Sequence, residues 1–268
     1  MMLESCSSTN AFVGEQFRAD PASWNTLDWA ATGDQTSGTG RLGRAWVAPT
    51  GTSLALSVFF RVDEPGEIPS HEAAWLSVLC ALSLTRTIEE LGAASDAARL
   101  KWPNDVLLNG KKVAGILAQF HSVLNPREAV ASGERETSSG VVVGIGTNIS
   151  LTHEQLPVRT ATSLALEGIE ADIDRVCEVF LSHIRSDFEK LKASGYRTSV
   201  WLRGAVKEKL SSLGLDVCAE LPNGRHVIGE CVDLDPDGAL IVETADGQSH
   251  RISAGDIVHL RRSDGAYA

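Results

Sequence analysis

Lys101-Trp102-Pro103-Asn104-Asp105-Val106-Leu107-Leu108-Asn109-Gly110-Lys111-Lys112-Val113-Ala114-Gly115-Ile116-Leu117 is the stretch on which the reading of this chain turns. Asn109-Gly110 lies between two apolar runs, and an Asn-Gly pair in that setting favours a type I′ hairpin turn, because both residues tolerate positive φ. A hairpin there folds one strand back on the other and brings Lys101 and Asp105 near Lys112. Two cations, an amide and a carboxylate then share a small volume suited to a carboxylate, a phosphate and a metal ion at once. The same residues also fit a surface hairpin with solvated charges, since charged side chains are mostly exposed.

Upstream, LALSVFF at 54–60 reads as a short apolar strand. Residues 71–92 carry a broad apolar face with no internal proline and stop at Gly92, the pattern of a largely buried helix. Downstream, residues 121–139 are rich in Ser, Glu and Arg and read as a loose loop. GVVVGIGTNI at 140–149 is a buried strand with glycines at its end. Ile173, Val176, Val179, Phe180, Ile184, Phe188 and Leu191 recur at helical spacing and predict an amphipathic helix over 172–193. After about residue 204 the texture changes. Short strands are separated by Asn223-Gly224, Pro236-Asp237-Gly238 and Asp246-Gly247, at the spacing of a small antiparallel barrel. Two domains are therefore expected, 1–204 and 205–268.

The chain has 268 residues, 43% hydrophobic and 22% charged, which are globular proportions. A net charge of −11 argues against a protein that grips nucleic acid through a basic face. The five cysteines (Cys6, Cys80, Cys177, Cys218, Cys231) are widely spaced, form no CxxC pair, and fit small buried side chains in a reducing cytoplasm. MMLESCSSTN lacks the features of a signal peptide, and no apolar run is long enough for a membrane span.

Three further segments carry candidate chemistry. Gln35-Thr36-Ser37-Gly38-Thr39-Gly40-Arg41-Leu42-Gly43-Arg44-Ala45-Trp46 offers many free backbone N–H groups and two arginines, a combination that can wrap an anion. It is neither a Walker loop nor a convincing dinucleotide fingerprint. Ser8-Thr9-Asn10 reads by itself as a helix N-cap. The glycines of Gly144-Ile145-Gly146-Thr147-Asn148 fit either a close ligand approach or a tight bend.

Taken in order, the STN start, the Gln-x-x-Gly-x-Gly-Arg-x-Gly-Arg-x-Trp loop, KWPND with a lysine seven residues on, and GxGxN resemble the biotin–protein ligase family. The likeness runs from about residue 7 to residue 262, and KWPND followed by KxxGIL is its most specific part. The resemblance implies an α/β (α+β) fold: a class II synthetase-like mixed sheet with flanking helices, plus a small C-terminal SH3-like β-barrel. It implies formation of biotinyl-5′-AMP from biotin and ATP with Mg2+. Transfer of biotin then follows, to a lysine of an apo biotin carboxyl carrier domain of an acyl-CoA or pyruvate carboxylase. On the same basis Lys112 and Arg41 are the catalytic residues. Biotin is bound by Ser8, Thr9, Gln35, Gly38, Arg41, Trp46, Lys112, Gly115 and Gly144. ATP is bound by Gly40, Arg44, Lys101, Asn104 and Asn148, and the metal by Asn104 and Asp105. The expected protein is cytoplasmic, a monomer or homodimer, and without nucleic-acid or membrane partners.

Two departures stand out. The family loop usually reads GRGR, and here Thr39 replaces an arginine, which predicts weaker retention of the adenylate. Few residues precede the STN motif, which matches the monofunctional form without a helix-turn-helix domain. The alternatives are a lipoate or octanoate ligase on the same fold and a biotin sensor without ligase activity. The retained Lys112 and Arg41 speak against the sensor.

Overall fold

The apolar runs pair into one six-stranded sheet in the computed structural model, which describes residues 1–124, 137–198, 201–221, 225–253 and 259–262. Its strands in chain order are β1 (Trp29–Thr32), β4 (Ser53–Val62), β5 (Ala98–Lys101), β6 (Asp105–Leu108), β7 (Lys111–Leu124) and β8 (Thr137–Asn148). The short β2 (Gly38–Thr39) and β3 (Ala45–Trp46) form a separate ribbon. In space the order is β1-β4-β8-β7-β6-β5. All the ladders of this sheet are antiparallel, and parallel pairing is confined to isolated bridges, among them Met2 to Ala31, Val62 to Ile68, Leu100 to Leu210 and Lys112 to Ala161. Asn109 and Gly110 have φ of 50° and 77°, the positive pair that a type I′ turn between β6 and β7 requires.

Helices cover both faces. α1 (Thr9–Ala19) lies on one, where Val13 and Phe17 pack with Trp24, Ala30, Phe59 and Val142. α2 (Trp75–Glu90) and α3 (Ile173–Ala193) lie on the other, over Leu56, Val58, Phe60, Val143 and Ile145. Strand alternation explains the division: successive residues of β4 point to opposite faces, and both are covered, so the strand is buried at every position but Arg61 and is apolar except at Ser53, Ser57 and Arg61. Each such buried aliphatic or aromatic side chain contributes about 1.5–3 kcal/mol of transfer free energy.

The polar loop expected over 121–139 gives way to strand at both ends. β7 continues to Leu124 and β8 begins at Thr137, paired from Leu124↔Thr137 inward. Ser and Thr side chains stand on pleated edges without cost when one face is solvated, so polar composition alone did not separate loop from strand. Residues 125–136 lie outside the described residues.

α4 (Leu202–Lys209) follows, packed against α2, β5 and the C-terminal sheet. That sheet contains β9 (Asp216–Glu220), β10 (His226–Leu234), β11 (Leu240–Glu243), β12 (Ser249–Ile252) and β13 (His259–Arg262), in the order β12-β11-β10-β9-β13. It is antiparallel throughout. No pairing among the described residues joins β12 to β13, so an antiparallel sheet is established and closure into a barrel is not. Gly238 and Gly247 take φ of 82° and 78° in the turns expected there, and Asn223-Gly224 lies outside the described residues. Val217, Cys231, Leu240 and Val242 of this sheet belong to the same apolar core as α2 and α3.

Candidate active site

One cross-strand row defines the site. Lys101 pairs with Asp105, Asp105 with Gly115, Gly115 with Gly146, Gly146 with Ala55, and Ala55 with Thr32. Directly opposed residues point to the same face of a sheet. The next row on that face is Leu117, Gly144, Ser57 and Ala30. Gly115, Gly144 and Gly146 therefore strip the α1 side of the sheet centre of side chains and leave a floor of bare backbone. The floor is filled from above. A Cβ added at Gly144 would stand 2.3 Å from Asn10 Oδ1, and one at Gly146 would stand 2.6 Å from the Trp46 ring.

Lys112 reaches this face through an irregularity. Strict alternation would aim it at the α2 side, opposite to Gly115. The register between β6 and β7 shifts between Val106 and Leu107, so that Val106 faces Ala114 while Leu107 faces Lys112. Val113 is the extra residue of this bulge, and Val113 and Ala114 both end in the α2-side core. Lys112 thereby shares the face of Asp105, with Nζ 2.7 Å from Asp105 Oδ1 and 5.9 Å from the centre of the Trp46 ring. Its backbone is fixed as well, donating to Thr160 O (2.8 Å) and accepting from Thr162 N (2.8 Å).

At one end of the cavity the polar groups are neutral and engaged with one another. Ser8 caps α1, its Oγ accepting from Ala11 N at 3.4 Å, so Thr9 and Asn10 open the first turn at the sheet surface. Thr9 N and Oγ1 donate to Gln35 Oε1 at 2.9 and 3.3 Å. The Ser57 hydroxyl donates to Asn10 Oδ1 (2.6 Å) and lies 2.8 Å from Thr9 Oγ1. Asn10 Nδ2 donates to Leu117 O (3.0 Å).

At the other end the groups are charged. Gly38 and Thr39 pair with Trp46 and Ala45, and the intervening Arg41–Gly43 turn closes with Gly40 N donating to Arg44 O at 2.7 Å. This ribbon carries Arg41 to Asn104, whose Oδ1 accepts from Arg41 Nη1 at 3.4 Å while its Nδ2 donates to Ile116 O at 2.8 Å. Burial pushes the Arg41 guanidinium below its usual value, Asp105 opposing and Arg44 assisting. A guanidinium remains charged in this setting. Asn148 is buried and donates from Nδ2 to Thr162 O (2.8 Å).

A cavity of about 590 Å³ joins the two ends. Ser8, Thr9, Gln35, Gly40, Arg41, Arg44, Trp46, Lys101, Asn104, Asp105, Lys112, Gly115, Gly144 and Asn148 all line it. Gly38 does not: a Cβ there would lie 2.4 Å from Gln35 Nε2 and 2.5 Å from Trp46 O, so its place is to let the ribbon pack on Gln35. Sequence reasoning missed Asn10 and Ser57 as site residues, although a lone serine inside the apolar run LALSVFF was a signal. It also gave no role to Gly146, to Trp102, or to Pro157, Val158 and Ala161, which form the wall beside Lys112. Among the described residues no group of three or more His, Cys, Asp or Glu side chains could hold a metal ion. No helix among them is long and apolar enough to cross a membrane.

A bare-backbone floor, a glycine-rich ribbon above it and a lysine set beside a carboxylate fit a protein of the acyl-ligase class. Residues 2–127 match the Biotin/lipoate A/B protein ligase family, and residues 214–260 match the Biotin protein ligase C terminal domain. The chain is 33% identical over 229 residues to the Biotin--[acetyl-CoA-carboxylase] ligase of Mycobacterium tuberculosis, covering 85% of this chain and 77% of that protein. It is 31% identical over 218 residues to the Bifunctional ligase/repressor BirA of Bacillus subtilis, of which it spans 60%. The solved structure of biotin protein ligase from Aquifex aeolicus in complex with biotin and ATP aligns over 98% of each chain, with a TM-score of 0.71 and 26% identity. The chain belongs to the biotin protein ligase family.

Proposed function

We propose that this chain is an ATP-dependent, AMP-forming biotin–protein ligase. The biotin carboxylate attacks the α-phosphorus of ATP, pyrophosphate leaves, and biotinyl-5′-AMP forms. The amine of a carrier lysine then attacks the acyl carbon, and AMP leaves. The observation that carries this reading is the placement of Lys112 on the bare floor between a neutral end and a charged end of one cavity.

The neutral end suits the ureido ring of biotin. Ser8, Thr9 and Gln35 line it with hydroxyl and amide groups, with Ser57 tied to Thr9 and Asn10 beside them. Gly115 lets the bicyclic ring approach the backbone, Gly144 makes room for the Asn10 side chain beside it, and Trp46 covers the ring. Lys112 then meets the carboxylate. A carboxylate and a triphosphate repel each other, and an ammonium aimed at both offsets that repulsion and stabilises the charge that moves in the transition state. Holding the two groups in line lowers the barrier further. Arg41, Arg44 and the backbone at Gly40 face the nucleotide with Lys101, Asn104 and Asn148. The ribbon shields the acyl-adenylate from water. No covalent enzyme intermediate is needed.

The donors at Asn104 and Asp105 fit magnesium in one specific sense. One carboxylate and one amide oxygen make too few ligands for an all-protein cage, but magnesium in nucleotide sites takes one or two protein oxygens together with phosphates. When bound there it would neutralise charge on the departing pyrophosphate.

Residues 1–204 carry the binding and chemistry in this reading, and 205–268 form the supporting unit. The carrier is an apo biotin carboxyl carrier domain of an acyl-CoA or pyruvate carboxylase in the cytoplasm. The test is biotin-dependent exchange of labelled pyrophosphate into ATP. Exchange that needs biotin and vanishes in Lys112→Ala supports the reading; exchange that needs lipoate instead overturns it.

A further inference from the structure

Two tryptophans of the catalytic unit end on one turn of the C-terminal sheet. Trp75, the first residue of α2, donates its indole N–H to Pro236 O at 3.0 Å. Trp102, inside KWPND, donates its indole N–H to Gly238 O at 2.8 Å. Both rings are buried, and Gly238 lies against the face of Trp75, where an added Cβ would stand 3.5 Å from the ring. The turn is stiffened from behind. Asp235 Oδ1 accepts from Asp237 N (2.8 Å) and Ala239 N (2.9 Å), and Arg251 of β12 ion-pairs with both Asp235 and Asp237.

Trp102 is also a cavity wall residue, between Lys101 and Asn104. β5, which delivers it, is an edge strand whose outer side is closed by the chain entering the C-terminal unit, with Ser211 N donating to Leu100 O at 2.8 Å. The wall that faces the nucleotide in the proposed function is thus braced by the second unit. Among the described residues, the neutral end of the cavity takes its contacts from α1, β4, β7, β8 and the Gln35 segment.

We propose that the Asp235–Gly238 turn, locked by Arg251, is a positioning element that sets Trp102 and with it Lys101 and Asn104 for nucleotide binding. This rests on the reading of that wall as the nucleotide side. The turn reaches the cavity through the Trp102 indole, while its bond to Trp75 anchors it to α2, and none of its residues lines the cavity. A hydrogen bond to a buried donor, once removed, leaves that donor unsatisfied in a dry wall, so the wall relaxes.

The experiment is steady-state pyrophosphate exchange with Arg251→Ala, Trp102→Phe and the double variant, in the full chain. Arg251 is half-exposed, so its removal leaves the core intact, and Trp102→Phe keeps an aromatic ring while deleting only the N–H and part of the ring. Each single variant is expected to raise KM for ATP by about three- to tenfold with KM for biotin unchanged. The double variant is expected to be no worse than Trp102→Phe alone, because both break one link. Independent, multiplying effects, an equal rise in KM for biotin, or an unchanged KM for ATP would overturn the proposal. Asp235→Asn serves as a second way to loosen the turn should Arg251→Ala reduce the folded yield. Absence of exchange in the unmodified chain would instead sink the functional reading itself.

Discussion

The two ends of the cavity are built on different principles. The neutral end is assembled from groups that satisfy one another: Thr9, Asn10, Gln35 and Ser57 are tied by hydrogen bonds on a rigid helix start and a central strand. The charged end is assembled from a two-stranded ribbon of two residues a side and from an edge hairpin, with an arginine, a lysine and a carboxylate gathered together. A neutral bicyclic ring gains from pre-organised donors that need not move. A triphosphate that must enter, react and leave as pyrophosphate gains from charge carried on an element able to open. In the proposed reading the interlocked neutral groups serve recognition, and the charged ribbon and hairpin serve the reaction.

That contrast can be broken at graded cost. The largest effect is expected from Lys112→Ala, which should lower the adenylation rate by about 100- to 1,000-fold, in line with loss of a charged group that stabilises a transition state. Single-turnover formation of biotinyl-AMP measures it. A loss under tenfold would move the burden to Arg41. Next comes Gly144→Ala. Its methyl would collide with Asn10 Oδ1 at 2.3 Å, and overpacking of this kind should weaken biotin binding by about ten- to hundredfold while leaving ATP binding unchanged. Gly115→Ala is the internal control, because its Cβ meets nothing closer than 3.3 Å and should cost clearly less, both variants being compared by calorimetric titration with biotin. The smallest effect belongs to the ribbon. Thr39 is exposed and lines the cavity, and Thr39→Arg should slow dissociation of biotinyl-AMP by about three- to tenfold through an added charge-assisted contact. An unchanged off-rate would mean that the missing arginine of the family loop is immaterial here.

Much of this was legible in the residues. Asn109-Gly110 announced its turn, Ser8 its helix start, and the Val-rich run at 140–149 its central strand. What the residues did not announce was geometry that depends on neighbours. The bulge at Val113 turns Lys112 onto the site face, and nothing in KKVAG distinguishes it from regular alternation, which would bury the lysine. The continuous row from Lys101 through Gly115 and Gly146 to Thr32 exists only once six strands are in register. Ser57 was hidden because a buried hydroxyl is informative only when its partners are known, and these are the side chains of Thr9 and Asn10, 48 and 47 residues away. Polar composition over 121–139 suggested loop, where β7 runs on to Leu124 and β8 begins at Thr137.

The most direct test of the account is the intact mass of a purified apo biotin carboxyl carrier domain after incubation with this protein and MgATP, with biotin in one tube and lipoate in another. The account predicts one added biotinyl group, no added lipoyl group, and no addition when Lys112→Ala replaces the unmodified chain. Addition of lipoate alone, or biotinylation that survives Lys112→Ala undiminished, would contradict it.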